Sequence, residues 1–179
     1  MNTIEKATIA LHAGEVIAYP TESTWGLGVD ANNQNAVAKL NQLKQRPNSK
    51  AFIVLVHNIN IIKDWLDFDA LPKTLDTNAG WPGPITKLFP TTPNCPSWLS
   101  LDNRIAVRIS AHPTTTALCE HFCGPIISTS ANRSGQPVLT SAEAIRANFQ
   151  SHIHTIVDGT PGHRPPTTII CLSSGQKIR

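Results

Sequence analysis

Apolar residues recur at helical spacing in two early segments of the chain. From Ile4 to Leu11 they fall three or four residues apart, which predicts an amphipathic helix over residues 3–13 that stops at Gly14. A second stripe within AVAKLNQL predicts another amphipathic helix, whose C-terminal end runs into KQRPNSK. Both helices are expected to bury one face against a core.

Short apolar runs alternate with the helices and predict strands. They are VIAY, AFIVLV, IAVRIS, PIISTSA, HTIVDG and TTIICLS. AFIVLV is an unbroken run, which is typical of a strand buried on both faces of a sheet. Between these runs, PTESTWGLG, WPGPIT and GTPGHRPP contain several glycines or prolines, which predicts turns and loops.

Three further segments are predicted to be helical. They are a short helix from Ile61 to Leu66, the segment ALCEHF and the segment SAEAIRANF. At the start of the last one, Thr140 and Glu143 have the spacing of a capping box. Helices and strands therefore alternate with short connections. This order favours an α/β fold with a mixed sheet and flanking helices.

Length and composition limit the organisation and the class of protein. A chain of 179 residues with 40% hydrophobic content can bury one sizeable core, so we expect a single domain over residues 1–179. Fifteen basic and 12 acidic residues give a net charge of +3. That excess is too small for binding nucleic acid by charge alone, but it is compatible with an anionic ligand.

The cysteines and the N-terminus indicate the cellular compartment. The four cysteines form no CxxC pair, and the first residues lack the apolar stretch of a signal peptide. No apolar run approaches the roughly 20 residues of a membrane span. We therefore expect reduced thiols in a soluble, cytoplasmic protein without a membrane partner.

The segment KQRPNSK concentrates positive charge at the end of the second helix. Pro47 disfavours helical geometry at Arg46, so the helix should end near Lys44. Once the chain leaves the helix, the side chains of Lys44, Arg46 and Lys50 can converge on one anion. The simpler interpretation is that these cations complement the negative helix end and are otherwise solvated.

Two further polar groups lie at predicted strands. STSANRSG places Ser128, Ser130 and Asn132 at a strand end, where short hydroxyls and an amide suit a ribose, a phosphate or an amino-acid backbone, although a plain Ser/Asn turn is the alternative. Arg108 lies inside the strand IAVRIS and needs a carboxylate or a phosphate as its partner. Together these groups indicate a ligand crevice at the sheet edge. Trp25, beside PTES, is a candidate for its wall.

Five ordered segments resemble the YrdC/TsaC family of threonylcarbamoyl-AMP synthases. They are VIAYPTESTWGLG, AVAKLNQLKQRPNSK, WPGPIT, AVRIS with the following HP, and STSANRSGQP. The resemblance implies an α/β sheet twisted around a basic concave cavity that binds ATP, L-threonine and bicarbonate. It also implies formation of L-threonylcarbamoyladenylate and pyrophosphate for the t6A modification of tRNA.

The same resemblance implies roles for individual residues. Positions that match the family's ATP-binding and catalytic cations are Lys44, Arg46 and Lys50. Positions that match the S-x-N pair and an arginine at the nucleotide are Ser130, Asn132 and Arg179. Positions that match its threonine or carbamate contacts are Thr21, Arg108, Ser128 and Thr167, the last where the family often has serine.

The chemistry of the implied reaction fits the absence of a side-chain nucleophile in the motifs. A carbamate made from threonine and bicarbonate supplies the attacking oxygen, so the protein has to position substrates and neutralise charge. The chain has no complete G-x-x-x-x-G-K-[ST] or G-x-G-x-x-G motif. It also has no carboxylate cluster for a protein-built metal site, so Mg²⁺ would be carried by the phosphates.

Two other functions remain open from the sequence. One is an RNA-binding module with a basic concave surface, which the aromatic content of 6% makes less favourable. The other is a carbamoyl-transfer domain like the one in hydrogenase-maturation proteins. For the synthase, the expected partners include the downstream tRNA threonylcarbamoyl-transfer proteins, and a direct contact with tRNA is left open.

Overall fold

A computed structural model describes residues 1–45, 52–149 and 152–178 of the chain. The helices are α1 (Thr3–His12), α2 (Gln34–Lys44), a 3₁₀ helix (Ile59–Trp65), α3 (Pro113–Phe122) and α4 (Ala142–Phe149). Asn2 caps α1, because its side-chain oxygen accepts a hydrogen bond of 2.9 Å from the main-chain N–H of Glu5. The helices predicted from the sequence are all present.

Eight strands within the described residues form one mixed sheet. They are β1 (Ile17–Pro20), β2 (Trp25–Asp30), β3 (Ile53–Leu55), β4 (Ile85–Pro90), β5 (Arg104–Arg108), β6 (Ile126–Ser130), β7 (Thr155–Ile156) and β8 (Thr168–Cys171). Their order across the sheet is β7-β1-β2-β6-β3-β5-β4-β8. The pairs β1–β7, β3–β5 and β4–β8 are parallel and the others are antiparallel, which confirms the α/β fold with a mixed sheet.

Two strands lie where the sequence predicted turns or gave no strand. The strand β2 begins inside PTESTWGLG and continues to Asp30, and β4 begins inside WPGPIT and continues through KLFP. In β2 the glycines make room for an aromatic ring rather than ending the strand. A Cβ atom on Gly26 would lie 3.3 Å from Tyr19 Cζ, and one on Gly28 would lie 2.8 Å from Tyr19 Cε1.

The cap of α4 also differs from the prediction. The helix begins at Ala142, and the Oγ atom of Ser141 accepts a hydrogen bond of 3.1 Å from the N–H of Ala144. Ser141 is therefore the N-cap residue, and the assignment of that role to Thr140 was wrong by one position. Ser and Thr are both good caps, so the pattern alone could not choose between neighbours.

The sheet has one fully covered face and one partly open face. On the covered face, Leu27, Val54 and Ile127 belong to a core that also contains residues of α2 and α4. On the other face, Tyr19 and Ile126 pack in a smaller core with residues of α1 and α3. The rest of that second face carries the cavity described below. Among the described residues, no helix has the length and apolar character that a membrane crossing requires.

Candidate functional site

A cavity of about 500 Å³ lies over the open part of the sheet. Among the residues predicted to bind ligand, those that line it are Thr21, Arg108, Ser128, Ser130 and Thr167. Trp25 and Gly26 of β2 also line it, so Trp25 is part of the wall as expected. The fold thus brings together residues from both ends of the chain at the predicted crevice.

Antiparallel pairing explains why the serines of β6 reach the cavity. Ser128 pairs with Gly28 and Ser130 pairs with Gly26, so each serine lies beside a residue without a side chain. Partners in such a pair point to the same face of the sheet. The Tyr19 ring lies over these glycines, and Gly26, Ser128 and Ser130 line the cavity on the same face.

Lys44 joins the end of α2 to the end of β6. Lys44 is the last residue of α2, and its side chain is only 2% exposed. Its Nζ atom donates to the main-chain oxygen of Ser130, to the main-chain oxygen of Asn132 at 2.7 Å and to Asn132 Oδ1 at 3.3 Å. The helix therefore ends where it was predicted to end, and its cation lies at the S-x-N segment.

The S-x-N side chains continue this network. Ser130 Oγ donates to Asn132 Oδ1 at 2.7 Å, and Asn132 Nδ2 donates to the main-chain oxygen of Gln136 at 2.6 Å. A further main-chain bond of 2.8 Å runs from the N–H of Ser134 to the oxygen of Lys44. These bonds fix the turn after β6 against the C-terminal end of α2.

Arg108 pairs with a carboxylate, that of Glu22, as its position inside a strand predicted. Arg108 and Glu22 are both buried, and the Arg108 Nη2 atom forms a salt bridge with Glu22 Oε2. Arg108 Nε also donates to the main-chain oxygen of Gly83 at 3.2 Å. The other carboxylate oxygen of Glu22 accepts from Ser110 Oγ at 2.9 Å and from the N–H of Ala111 at 2.8 Å.

The electrostatic state of Glu22 follows from these contacts. Burial by itself would raise the pKa of its carboxyl group, but the charge of Arg108 and the hydrogen bonds from Arg108 and Ala111 lower the pKa below the ordinary value. Glu22 is therefore ionised at neutral pH. The pair holds one positive and one negative charge at the floor of the cavity.

Thr21 and Thr167 both line the cavity. Thr21 lies in the turn between β1 and β2, where its Oγ1 donates to the main-chain oxygen of Thr24 at 2.7 Å. Thr167 is buried immediately before β8, and its Oγ1 lies 3.1 Å from Thr86 Oγ1. Both hydroxyl groups have fixed positions on the cavity wall.

A segment that we call the strap, residues 158–167, lies across the turn between β1 and β2. The N–H groups of Gly162 and Arg164 donate to the main-chain oxygens of Thr21 and Glu22, each at 2.9 Å. Ser23 Oγ donates to the main-chain oxygen of Pro165 at 2.7 Å. A Cβ atom at Gly162 would lie 2.6 Å from the Glu22 oxygen, so only glycine permits this close approach.

Three predicted site residues, Arg46, Lys50 and Arg179, lie outside the described residues. Their assignments to ATP stay predictions from the sequence. Within the described residues, the two cations that line the cavity are Arg108 and Arg164. Arg164 is exposed at the strap and was not among the predicted residues.

Comparison with known proteins places the chain in a family. The Sua5/YciO/YrdC family model, whose description reads "Telomere recombination", matches residues 9–179. The chain belongs to the Sua5/YciO/YrdC family. This result confirms the resemblance seen in the five sequence segments.

Relatives of this Sua5/YciO/YrdC chain cover nearly all of it. A protein of Xanthomonas oryzae pv. oryzae (strain PXO99A) named Threonylcarbamoyl-AMP synthase is 41% identical over 181 residues, which is 99% of this chain and 97% of the relative. A protein of Xylella fastidiosa (strain M23) with the same name is 43% identical over the same shares of the two chains.

Solved structures of the Sua5/YciO/YrdC family share the fold. P. abyssi Sua5 complexed with L-threonine has a TM-score of 0.80 and 31% identity, and the match covers 95% of this chain but 51% of that one. The chain thus spans about half the length of P. abyssi Sua5. E. coli YciO has a TM-score of 0.79 at 24% identity, with 98% of this chain and 86% of that chain covered, which supports the fold alone.

Sequence reasoning for this Sua5/YciO/YrdC chain missed Glu22, Gly162 and Arg164. A signal for Glu22 existed, because a charged residue inside an apolar strand requires a buried partner of opposite charge and Glu22 lies in the PTES segment. No comparable signal existed for Arg164. Its place at the cavity depends on how the strap folds back onto a turn 142 positions earlier in the chain.

Proposed function

We propose that the cavity binds ATP, L-threonine and bicarbonate and converts them to L-threonylcarbamoyladenylate and pyrophosphate. The observation that carries the proposal is the 41–43% identity, over nearly the full length, to proteins named Threonylcarbamoyl-AMP synthase. The P. abyssi Sua5 structure with L-threonine supports the same substrate. The chain is therefore an enzyme of the nucleotidyltransferase type.

The reaction needs positioned charge more than a side-chain nucleophile. The threonine amine and bicarbonate form a carbamate and release water. A carbamate oxygen then attacks the α-phosphorus of ATP, a new oxygen–phosphorus bond forms, and the bond to the departing pyrophosphate breaks. Displacement of this kind is accelerated by alignment of the reactants and by cations where negative charge accumulates.

We assign the two substrates to two parts of the site. The nucleotide end would lie at Ser130, which lines the cavity and contacts Lys44 and Asn132 behind it. Arg46, Lys50 and Arg179 are proposed to join them from sequence alone. At the threonine end, hydroxyl groups and a guanidinium would bind the amino acid or its carbamate, and the residues that supply them are Thr21, Arg108, Ser128 and Thr167.

The metal and the downstream partners follow from the chemistry of the substrates. Among the residues that the structure describes, no group of three or more His, Cys, Asp or Glu side chains could hold a metal ion. Mg²⁺ is proposed to enter with the phosphates of ATP, which bind it through their oxygens. The product is a reactive mixed anhydride, so it would pass to proteins that transfer the threonylcarbamoyl group to tRNA during t6A formation.

The direct test is incubation of the purified protein with ATP, bicarbonate and isotopically labelled threonine, followed by mass detection of the adenylate. We expect a labelled adenylate and pyrophosphate that depend on threonine. Arg46→Ala or Lys50→Ala should nearly abolish both products without unfolding the protein.

Absence of any threonine-dependent product would overturn this assignment. Tight RNA binding that weakens steeply as salt increases would then favour the RNA-binding alternative. Unchanged turnover in both variants would instead remove Arg46 and Lys50 from the proposed phosphate site.

A further inference from the structure

We propose that Glu22 is the positioning residue of the threonine end, where its carboxylate fixes the Arg108 guanidinium and its main-chain oxygen holds the strap that carries Arg164. This inference rests on the proposed function, because it names the residue that orients the groups expected to bind threonine. It differs from a contact role, because Glu22 is buried beneath the cavity and would act through its neighbours.

Both carboxylate oxygens of Glu22 accept hydrogen bonds or form an ion pair. Oε1 accepts from Ser110 Oγ and from the N–H of Ala111, and Oε2 forms the salt bridge with Arg108. The donors on Oε1 belong to the segment between β5 and α3, which immediately follows Arg108 in the chain. The carboxylate therefore has one fixed orientation.

The contacts that hold Arg108 leave some of its N–H donors available to a ligand. A guanidinium has five N–H donors. Contacts to Glu22 through Nη2 and to Gly83 through Nε engage two of its three nitrogens, and Arg108 still lines the cavity. The N–H donors on the remaining nitrogen can form a charge-assisted hydrogen bond with a substrate carboxylate.

The main chain of Glu22 contacts the strap. The Glu22 oxygen accepts from the N–H of Arg164 at 2.9 Å, and the strap can approach it because residue 162 is glycine. Glu22 thus contacts both of the described arginines that line the cavity, one through its side chain and one through its backbone. A change in its position would move both cations.

The negative charge cannot be replaced by an amide. In Glu22→Gln one side-chain oxygen becomes an NH₂ group. That group would face either the Arg108 guanidinium or the fixed N–H of Ala111, and both are donors. Either orientation loses a hydrogen bond, and the first also leaves Arg108 without its compensating charge.

The test compares three variants with the wild-type enzyme: Glu22→Gln, Arg108→Gln and the double variant. In Glu22→Gln we expect KM for threonine to rise by about tenfold or more, the size expected for loss of a hydrogen bond to a charged group, while KM for ATP stays within about twofold. In the double variant the melting temperature should recover, because neither buried charge remains unpaired. Threonine binding should remain weak.

An increase in KM for threonine alone in Glu22→Gln separates positioning from a purely structural role, because a general loss of structure would affect both substrates. Glu15→Gln is a matched control, since Glu15 is exposed and lies outside this cavity, and it should leave both KM values unchanged. Equal increases in the KM values for threonine and ATP in Glu22→Gln would overturn the inference, and so would wild-type threonine affinity in that variant.

A second readout does not depend on turnover. In ¹⁵N NMR spectra, the Arg108 Nε–H signal should be slowly exchanging in the wild-type protein, and Glu22→Gln should broaden it or make it exchange quickly. If the wild type forms no adenylate, the proposed function fails, whereas this signal still decides whether Glu22 fixes Arg108. An unchanged Arg108 signal in Glu22→Gln would overturn the positioning role on its own.

Discussion

The proposed nucleotide end and the proposed threonine end hold their cations in different ways. At the nucleotide end, the Lys44 ammonium contacts two main-chain oxygens and one amide oxygen of the turn after β6. At the threonine end, the Arg108 guanidinium contacts a buried carboxylate and one main-chain oxygen. One cation is thus positioned mainly by backbone and the other mainly by a side chain.

This difference predicts where substitutions should matter. A main-chain oxygen remains when its residue is mutated, so changing Ser130 should leave most of the Lys44 environment in place. A carboxylate is lost with its side chain, so the threonine end should depend strongly on Glu22. The following predictions test this contrast, from the largest expected effect to the smallest.

Removal of the ammonium should break the nucleotide end. Lys44→Met keeps the length of the aliphatic stem but deletes the ammonium, whose hydrogen bonds hold the turn that carries Ser130 and Asn132. We expect adenylate formation to fall by about 10²-fold, the cost of displacing groups at a reaction site by about 1 Å. Initial rates at saturating threonine would measure this effect.

Lys39→Met is the matched control for that substitution. Lys39 lies in the same helix, is exposed and does not line the cavity, so its loss should leave the rate unchanged. Equal rates for Lys44→Met and the wild type would remove Lys44 from the reaction and reduce it to a cap on the turn after β6.

Acid is expected to weaken the ion pair between Glu22 and Arg108. The pKa of Glu22 is lowered in the folded protein, so its pairing with Arg108 stabilises the fold at pH values above the unfolded pKa of about 4.3. This stabilisation is lost as pH falls through the lower, folded pKa.

Glu22→Gln should lower the free energy of unfolding by about 3 kcal/mol at pH 7, as breaking a buried ion pair usually does.

Urea unfolding of both proteins between pH 7 and pH 3 would measure this dependence. The difference in unfolding free energy should be constant above about pH 4.3 and should shrink below it, because protonated Glu22 resembles the amide. A difference that did not change over this range would show that the charge on Glu22 is not what stabilises the fold.

The S-x-N side chains should give the smallest effects on stability. Ser130→Ala removes one hydrogen bond to Asn132, while its main-chain oxygen still accepts from Lys44, so we expect a loss of about 1 kcal/mol. Asn132→Ala removes the side chain that contacts Lys44, Ser130 and Gln136 and should cost more. A loss of stability in Ser130→Ala as large as that in Glu22→Gln would contradict the backbone-held description of this end.

The sequence predicted elements that depend on local pattern, and it failed where distant residues decide. The helix ending at Lys44 followed from an apolar stripe and a nearby proline. The strand β2 did not, because Gly26 and Gly28 resemble loop residues unless one knows that the Tyr19 ring lies over them. These glycines suggested a turn, whereas in the structure they provide space for the Tyr19 ring within a strand.

The same distinction applies to the site. Motifs located Ser128, Ser130 and Arg108, because polar residues at apolar strands are informative within a few positions. Arg164 could not be located in that way, since its place depends on hydrogen bonds between the strap and a turn near the other end of the chain. Residues that act through long-range contacts leave little trace in a single sequence.

The strap also limits the shape of the whole sheet. It connects β7 and β8, which lie at opposite edges, so the eleven residues between Ile156 and Thr168 must join both margins. Eight strands about 4.8 Å apart would span about 34 Å if they lay flat, and eleven residues reach about 40 Å only when fully stretched. The connection is shorter than its fully extended length, because it bends at residues such as His163, which has a left-handed backbone, and because it is hydrogen-bonded to the turn between β1 and β2. The sheet must therefore curl, and the length of this one connection limits how far its two edge strands can move apart.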